Sequence, residues 1–423
     1  MHILLCSLVI CLIDSFQITN TSGTNQLRIL VNESLDTTLT DNEYSTYRVL
    51  HPGDSIRITA KSSFRHLYII YYNKTATGQL KFKSRLVQLG ENSFLHEFIS
   101  LNTSIRRCSL QYQDTVSISL IYSFGKVVPD WVQRWERPVA PVDLLLIPAH
   151  ADDEQLFFAG LLPTVIDQHK KPVVLYLISH PDAPYRMNEQ LNGLWRVGVR
   201  SYPILGIVPD MYSESLQDAL KDLQSRNISF QSILNHLISA IRQFQPTIIV
   251  THDANGEYGH GQHRLTAHAV VKAVELAENP AILTVLPAFK PCKLILHLYP
   301  NRAFKMDYDI PLSSFQGLTA YEVAKLGFQE HQSQRHLRYT PWLEGRNRSY
   351  RSAQEIHPHS PLEFGVYSSI TNIAQSETQL FGGCPVGVKT GRSLFFKSML
   401  LIMGMLYCVL PGRFLGQKIN GNL

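Results

Sequence analysis

The chain has 423 residues, of which 44% are hydrophobic and 17% are charged, and its formal net charge is +5. The length suggests two domains, and the hydrophobic fraction is enough for a sizeable buried core. Because the net charge is small and no run of Lys or Arg occurs, the composition gives no support for nucleic-acid binding, and we expect no nucleic-acid partner.

The chain starts with an apolar run from Ile3 to Ile13. A run of this length suits the core of a signal peptide, which has about 7–15 apolar residues, and is too short to span a bilayer. We therefore predict a signal peptide or signal anchor over residues 1–20, with a buried first strand as the alternative.

N-glycosylation sequons of the type Asn-x-Ser/Thr are spread along the whole chain. Their asparagines are Asn20, Asn32, Asn73, Asn102, Asn227 and Asn347. Behind a signal-like start they favour the secretory pathway, with a secreted or membrane-anchored protein in the ER lumen or outside the cell. The alternative is an ER membrane protein whose catalytic domain lies in the cytosol.

Cysteines are few beyond the first residues, where the chain has only Cys108, Cys292, Cys384 and Cys408. This number is too small for a disulfide scaffold, and the spacing is not that of a zinc knuckle. The pattern is compatible with one disulfide and leaves its pairing open.

Residues 27–126 consist of short runs rich in β-branched and aromatic residues, such as YRVLHPGDSIRITA and TVSISLIYSF. A Pro-Gly turn separates two of the runs, and no long helical period appears. This pattern predicts a small antiparallel β-sandwich as an accessory domain. Residues 127–141 follow with three prolines and two tryptophans, which predict a packed linker.

Residues 142–375 have a different sequence pattern. Four apolar runs, VDLLLIPAH, PVVLYLISH, TIIVTHD and KLILHLYP, alternate with stretches that have the spacing of amphipathic helices. Strands that alternate with helices predict the α/β class, with a Rossmann-like and mostly parallel sheet. In such sheets the functional groups lie at the carboxyl ends of the strands.

A second apolar stretch occupies residues 394–415. Its uninterrupted part, Ser398 to Leu410, is shorter than the about 20 residues that a spanning helix needs, although Lys397 and Arg413 could extend it by snorkelling. We predict a transmembrane segment, and with it a membrane association through this stretch; the alternative is an amphipathic or disordered tail.

Polar residues follow three of the predicted strands. They are, in chain order, His150, Asp152 and Asp153, then His180, then His252, with His260 and His263 shortly after. Because the carboxyl ends of parallel strands share one edge of the sheet, we expect these side chains to converge.

The converging side chains predict a catalytic zinc site, because a catalytic zinc keeps three protein ligands and one open position. We predict His150, Asp153 and His263 as the ligands. Asp152 would accept a proton from the water, and His260 would protonate a leaving group or stabilise an oxyanion. As alternatives, Asp152 or Asp153 could simply cap the next helix, and the two later histidines could be ordinary loop residues.

Two segments, AHADDEQLFFAG and THDANGEYGHGQHRLT, together resemble the PIG-L/LmbE family of zinc-dependent N-deacetylases, whose patterns are AHPDDE and GHxDH. The segments YRMNEQLNGLWRVGV and VAKLGFQEHQSQ resemble its R-x-x-E and K-(x)₅-H-x-S-Q segments. The resemblance covers about residues 142–367. It implies an LmbE-like fold and removal of acetyl from an N-acetylglucosamine-type sugar or glycoconjugate.

The resemblance also implies roles for single residues. It gives the same zinc ligands, Asp152 as general base, and His260 as the group that stabilises charge and protonates the amine. Tyr258 matches a tyrosine that moves toward the oxyanion, and Arg186 matches a substrate-contacting arginine with Glu189 as its partner. From the sequence alone, Arg186 and Glu189 could equally be a surface pair three residues apart on a helix.

Two positions depart from the family pattern. Ala151 replaces a proline, which removes no ligand. Gln262 replaces the aspartate before the last histidine, and if that carboxylate orients His260 and raises its pKa, the neutral amide weakens the effect and reduces activity or moves its pH optimum. The competing hypotheses are a glycan-binding surface protein with a degenerate deacetylase domain, and a metal-dependent hydrolase of another amide or ester.

Overall fold

The computed structural model describes residues 26–282, 284–335, 340–346, 348–370 and 379–384. The described residues up to Gly382 form one compact unit. The predicted signal segment and the predicted C-terminal apolar tail lie outside the described residues. Within the described residues, every helix is too short or too polar to cross a membrane.

The first part of the chain folds into one antiparallel sheet of eight strands. The strands are β1 (Leu27–Val31), β2 (Ser34–Asp36), β3 (Arg48–Leu50), β4 (Ile56–Tyr71), β5 (Gly78–Phe82), β6 (Arg85–Leu89), β7 (His96–Tyr112) and β8 (Val116–Phe124). Their order is β2-β1-β4-β7-β5-β6, and β8 pairs with β3 and β4. The antiparallel prediction is confirmed. The long strands β4 and β7, which are interrupted by irregularities in register, connect all eight strands, and the division into the two packed layers of a sandwich stays a prediction.

The second part of the chain is a mixed α/β structure around a six-stranded sheet of order β10-β9-β13-β14-β16-β15. Its strands are β9 (Leu144–Ile147), β10 (Pro172–Val174), β13 (Ile248–Thr251), β14 (Lys293–His297), β15 (Ala303–Lys305) and β16 (Glu363–Ser369). A separate parallel pair consists of β11 (Ile178–Ser179) and β12 (Val208–Pro209). Strands β9, β10, β13 and β14 are parallel to one another. Strand β16 is antiparallel to both of its neighbours, β14 and β15.

Helices connect these strands. They are α1 (Asp153–Leu156), α2 (Leu161–Asp167), α3 (Tyr185–Arg196), α4 (Leu216–Ser225), α5 (Phe230–Phe244), α6 (Gly261–Ala277), α7 (Ala320–Phe328), α8 (Gln332–Arg335) and α9 (Thr340–Glu344). The α/β class and the four parallel strands are confirmed, although the second predicted strand is divided between β10 and β11. The Rossmann-like arrangement of the layers stays a prediction.

Every residue of β9, β13 and β14 is buried, which explains why apolar residues make up most of these strands. Ile147 pairs with Thr251, and Thr251 pairs with Leu296. The three strands therefore end side by side, and the residues that follow them meet at one edge of the sheet.

The predicted linker packs between the two parts of the structure and contacts α3. The indole nitrogen of Trp195 donates to the carbonyl of Asp130 at 2.7 Å, and the Gln133 amide donates to Asn192 at 2.6 Å. The antiparallel sheet contacts the same helix, because the His96 ring lies 2.8 Å from the Asn188 amide oxygen. The helix that begins at Tyr185 is therefore held directly by the N-terminal sheet.

A buried arginine fixes the far end of α6. Arg242 in α5 is 2% exposed, and its guanidinium donates to the carbonyls of Ala277, Asn279 and Ile282 at 2.8–3.0 Å. These acceptors belong to the last residue of α6 and the turn after it, where backbone carbonyls have no partner within the helix. Arg242 therefore supplies the C-terminal cap of the helix whose first turn contains His263.

We expect Arg242→Met to lower the free energy of unfolding by about 3–5 kcal/mol, because it keeps much of the side-chain volume but leaves several buried carbonyls without a donor. Urea unfolding followed by circular dichroism measures the change. The matched control is Arg226→Met at the exposed end of α4. A loss no larger than that of the control would contradict this role.

Candidate active site

Four histidines lie at the carboxyl ends of parallel strands. His150 follows β9, His180 follows β11, His252 follows β13, and His297 is the last residue of β14. All four are buried, with exposed fractions between 0% and 7%. The predicted convergence is therefore present, and the structure adds the fourth strand to it.

The three predicted metal ligands lie together. Nδ1 of His150 is 3.3 Å from a carboxylate oxygen of Asp153 and 3.2 Å from Nε2 of His263, and this Nε2 is 3.4 Å from the other Asp153 oxygen. Four tetrahedral ligands about 2.0–2.1 Å from a zinc ion lie roughly 3.3 Å from one another. Both the donor set and its spacing therefore fit a zinc ion that keeps one open position.

A second group of potential ligands consists of His252, Glu257 and His263. Here one oxygen of Glu257 lies 2.6 Å from Nδ1 of His252 and 2.8 Å from Nδ1 of His263. These are hydrogen-bond distances, and they are shorter than the spacing of ligands around one ion. Glu257 therefore orients His263 through Nδ1 and leaves Nε2 of that ring for a metal.

The pKa values of the two carboxyl groups in the first motif, Asp152 and Asp153, are shifted in opposite directions. Burial opposes ionisation of Asp153, but the nearby His263, His150 and His252 outweigh it and hold its pKa well below the usual range. Burial raises the pKa of Asp152 to about 7. A metal ligand must be ionised, whereas a group that accepts and returns a proton works best with a pKa near the working pH.

Asp152 does not cap the helix that follows it. It occupies the N-cap position of α1, but its side chain makes no capping hydrogen bond, and its backbone φ is +105°. The Asp153 carboxylate bonds back to the backbone N–H of His150 at 2.6 Å. The alternative that these aspartates are plain helix caps is therefore wrong, and the carboxylate of Asp152 lines the pocket.

The pocket has a polar side and an aromatic side. Its lining consists of His150, Asp152, Asp153, Leu156, Phe157, Arg186, Asp210, Tyr258, His260, Gln334 and Trp342. On the polar side, Arg186 lies 3.3 Å from Asp210 and 3.5 Å from Asp152. Arg186 therefore lines the pocket, and its contact with a substrate stays a prediction.

Glu189 lies elsewhere, and its predicted partnership with Arg186 is wrong. Its side chain is buried outside the pocket lining and accepts hydrogen bonds from the backbone N–H and the hydroxyl of Ser333 at 2.8 and 2.6 Å. Arg186 instead reaches Asp210, which directly follows β12. About one turn of helix separates Arg186 from Glu189, but they face different neighbours.

His260 directly precedes α6, and its ring caps the N-terminus of this helix. The backbone N–H of Gln262 donates to Nδ1 of His260 at 3.1 Å, so the neutral ring carries its proton on Nε2. Burial, together with the nearby His150 and His263, lowers the pKa of His260 to about 3. The ring is therefore a neutral hydrogen-bond donor.

Tyr258 also lines the pocket, and its backbone has a positive φ of +47°. Its ring centroid lies 5.4 Å from those of His260 and His263 and 4.8 Å from that of Trp342. The tyrosine thus stands between the ligand cluster and the aromatic side of the pocket.

The side chain of Gln262 faces His150 and not His260. Its amide oxygen lies 2.9 Å from Nε2 of His150, and its amide nitrogen donates to the carbonyl of Pro209 at 3.0 Å. The second bond fixes which end of the amide faces the ring. Gln262 therefore holds His150 in the orientation that turns Nδ1 toward Asp153 and His263. The sequence analysis expected position 262 to act on His260, but its side chain contacts His150 instead.

Sequence reasoning gave no role to Asp210 or Glu257. Asp210 follows a strand of two residues, which is too short to produce a recognisable pattern. Glu257 is inside the GEYGH segment, but only the structure shows that it is fully buried and that His297 also lies 2.6 Å from it. The sequence contained one indication of this cluster, namely His297 in the fourth predicted strand.

Residues 145–274 match the family model PIG-L, described as GlcNAc-PI de-N-acetylase. The predicted resemblance is thereby confirmed over this range. The matched range contains the three predicted metal ligands, Asp152 and His260.

Similar proteins include two deacetylases of 1D-myo-inositol 2-acetamido-2-deoxy-alpha-D-glucopyranoside. The one from Streptomyces avermitilis is 26% identical over 161 residues, which are 33% of this chain and 54% of the relative. The one from Thermobispora bispora is 33% identical over 102 residues, 23% of this chain and 33% of the relative. The chain spans about half the length of the first relatives that it matches.

Among solved structures, the chain is similar to N,N′-diacetylchitobiose deacetylase from Pyrococcus horikoshii. The likeness has a TM-score of 0.36 at 15% identity and covers 48% of this chain and 75% of that chain.

We expect Gln262→Met to weaken zinc binding about 10- to 100-fold, because His150 loses the acceptor that orients its ring. Titration against a chromogenic chelator measures the dissociation constant. Gln262→Glu is the matched control, since it keeps an acceptor oxygen at the same place and should not weaken binding. Equal zinc affinity for Gln262→Met and the unaltered chain would contradict this role.

Proposed function

We propose that this chain is a zinc-dependent hydrolase that removes the acetyl group from an N-acetylglucosamine-type sugar or glycoconjugate. The observation that carries the proposal is the cluster of His150, Asp153 and His263, whose potential ligand atoms approach one another to 3.2–3.4 Å, with Asp152 in the same pocket. The deacetylase names of the family and of the similar proteins support it.

His150, Asp153 and His263 would hold the ion. A bound zinc ion lowers the pKa of a water molecule and polarises the acetamide carbonyl. Asp152 accepts the proton of the attacking water. Arg186 keeps the Asp152 carboxylate in place from one side, through contacts to this residue and to the carbonyl of Ala151 at 2.8 Å.

The negative charge that forms on the carbonyl oxygen needs hydrogen-bond donors. His260 donates from Nε2, because its Nδ1 is occupied by the backbone N–H of Gln262. Tyr258, whose ring centroid lies 5.4 Å from that of His260, would supply a second donor through its hydroxyl. These two groups stabilise the tetrahedral intermediate while the C–N bond is intact.

The departing amine receives its proton from Asp152. The sequence assigned this step to His260, but a neutral ring that gives up its proton on Nε2 becomes an imidazolate, which is far too basic. Asp152 holds the proton that it took from water and has a pKa raised to about 7, so it can return it to the nitrogen. The products are acetate and a free amine.

The polar side of the pocket suits a sugar. Arg186 offers donors, and the partly exposed carboxylate of Asp210 offers acceptors for adjacent hydroxyl groups. The aromatic side, formed by Phe157, Tyr258 and Trp342, suits the apolar face of a sugar ring or the methyl of the acetyl group.

We also propose that the protein enters the secretory pathway. Four sequon asparagines, Asn32, Asn73, Asn102 and Asn227, are exposed. Cys292 and Cys384 are each disulfide-bonded, and disulfides persist in oxidising compartments. A membrane association through residues 394–415 remains part of this proposal.

Asp152→Asn should lower kcat for acetate release from N-acetylglucosamine conjugates by about 10²- to 10⁴-fold while zinc content is unchanged, because the amide cannot accept the proton. Asp114→Asn, in the exposed turn after β7, is the control. Full activity of Asp152→Asn, or of protein stripped of zinc, would refute the proposal.

The activity should fall as the pH decreases through the pKa of Asp152, since only the carboxylate accepts a proton. Burial raises this pKa to about 7, and a bound divalent cation lowers it, because positive charge favours the ionised form. The acid limb of kcat/KM therefore lies below about pH 7 and is absent in Asp152→Asn. An alkaline limb alone would contradict this assignment.

Glycosylation tests the compartment. Expressed with its own N-terminus in a eukaryotic cell, the protein should shift in mass after treatment with peptide N-glycosidase, and Asn227→Gln should remove one step of the shift. Asn227 lies on the catalytic part of the chain, so its glycosylation excludes a cytosolic active site. An unmodified protein would contradict the proposal.

A further inference from the structure

Asp152 has an unusual backbone conformation for a residue with a side chain. Its φ is +105° and its ψ is −27°. Non-glycine residues at positive φ cost on the order of 1–3 kcal/mol and persist where the surroundings impose them. This conformation leaves the carboxylate free for the pocket, so the groups that impose it control the position of the proposed base.

One of these groups is the carboxylate of Glu154. Its Oε2 accepts the backbone N–H of Asp152 at 3.0 Å, a bond that reaches back over two residues. Glu154 itself is only 1% exposed. A buried carboxylate needs further partners, or its charge is strongly disfavoured.

That partner is His331, which is 177 positions away in the chain. Its Nε2 lies 3.0 Å from Oε1 of Glu154, and its side chain is fully buried. The two carboxylate oxygens of Glu154 therefore have different partners. Oε2 accepts the backbone N–H of Asp152, and Oε1 contacts the ring of His331.

The surroundings of His331 are built to fit this ring. A Cβ at Gly193 in α3 would lie 2.8 Å from its Nε2, so only glycine fits there. Two residues further on, Ser333 is fixed to Glu189 of the same helix. The segment from His331 to Gln334 thus runs from Glu154, over α3, to the lining of the pocket.

We propose that Glu154 and His331 are positioning residues for Asp152, which act through its backbone and touch neither the metal nor the substrate. The role of Asp152 as the base rests on the proposed function. The way in which its backbone is held rests on geometry alone. His331 fixes the carboxylate of Glu154, Glu154 fixes the N–H of Asp152, and the positive φ keeps the base aimed into the pocket.

The variant that tests this is Glu154→Met, which keeps the volume but removes the acceptor. We expect kcat for acetate release to fall about 100-fold, the effect of displacing a reacting group by about 1 Å. KM should change by less than about threefold and zinc content should not change, because neither ligands nor substrate contacts are touched. A crystal structure of the variant should show Asp152 outside the positive-φ region.

Glu154→Gln is the matched rescue, since its amide oxygen can still accept the N–H of Asp152. Its kcat should stay within about tenfold of that of the unaltered chain. If Glu154→Met fails to fold, His331→Leu takes its place, because it removes the donor to Glu154 and should lower kcat in the same direction. Arg242→Met controls for lost stability alone and should leave kcat per folded molecule unchanged.

An unchanged kcat in Glu154→Met, with Asp152 still at positive φ, would overturn the proposal, as would equal losses in Glu154→Met and Glu154→Gln. If the unaltered chain binds zinc but releases no acetate, the proposed function fails. In that case the φ of Asp152 in crystals of Glu154→Met and of the unaltered chain still decides whether Glu154 positions it.

Discussion

The site depends on one buried carboxylate, that of Glu257 in the loop before α6. Three histidine rings lie within 2.6–2.8 Å of it, and each comes from a different element: His252 after β13, His263 in α6 and His297 at the end of β14. A fully buried charge is tolerated only with such partners. Because the rings converge on Glu257, the two strand ends and the start of the helix have one fixed relation. The ring of Phe157 packs against the same cluster from the pocket side, with its centroid 5.4 Å from that of His263.

The sequence predicted the site far better than its surroundings. That His150, Asp152, Asp153, His263 and Arg186 lie together could be predicted, because each follows a buried strand or lies in a motif, and parallel strands bring their ends together whatever the details of the loops. Their roles as ligands and base stay predictions. The contacts of Glu189 and Gln262 could not be predicted, because the direction of a side chain on a helix depends on neighbours that come from distant parts of the chain. Asp210 was missed for a related reason, since the strand before it has only two residues.

The same contrast holds for the fold. Alternation of apolar strands and helices indicated the α/β class, and short β-rich runs indicated antiparallel strands. The pattern gave no sign that β4 and β7 continue as strands of 16 and 17 residues, because bulges interrupt their alternation. It also gave no sign that the N-terminal sheet would contact α3 through His96 and Asn188, a pair 92 positions apart. That contact makes the sheet a support for the helix that carries Arg186.

The neutral side chain at position 262 has a consequence for the ion itself. A carboxylate that accepts the outer N–H of a ligating imidazole increases the electron donation of that ring, whereas an amide does so much less. The amide oxygen of Gln262 lies 2.9 Å from Nε2 of His150, and a carboxylate oxygen of Asp210 lies farther away at 3.6 Å. If His150 holds a metal, its outer N–H is accepted mainly by an amide, so the ring would donate less electron density and the ion would be a stronger Lewis acid than one with a carboxylate in the place of Gln262.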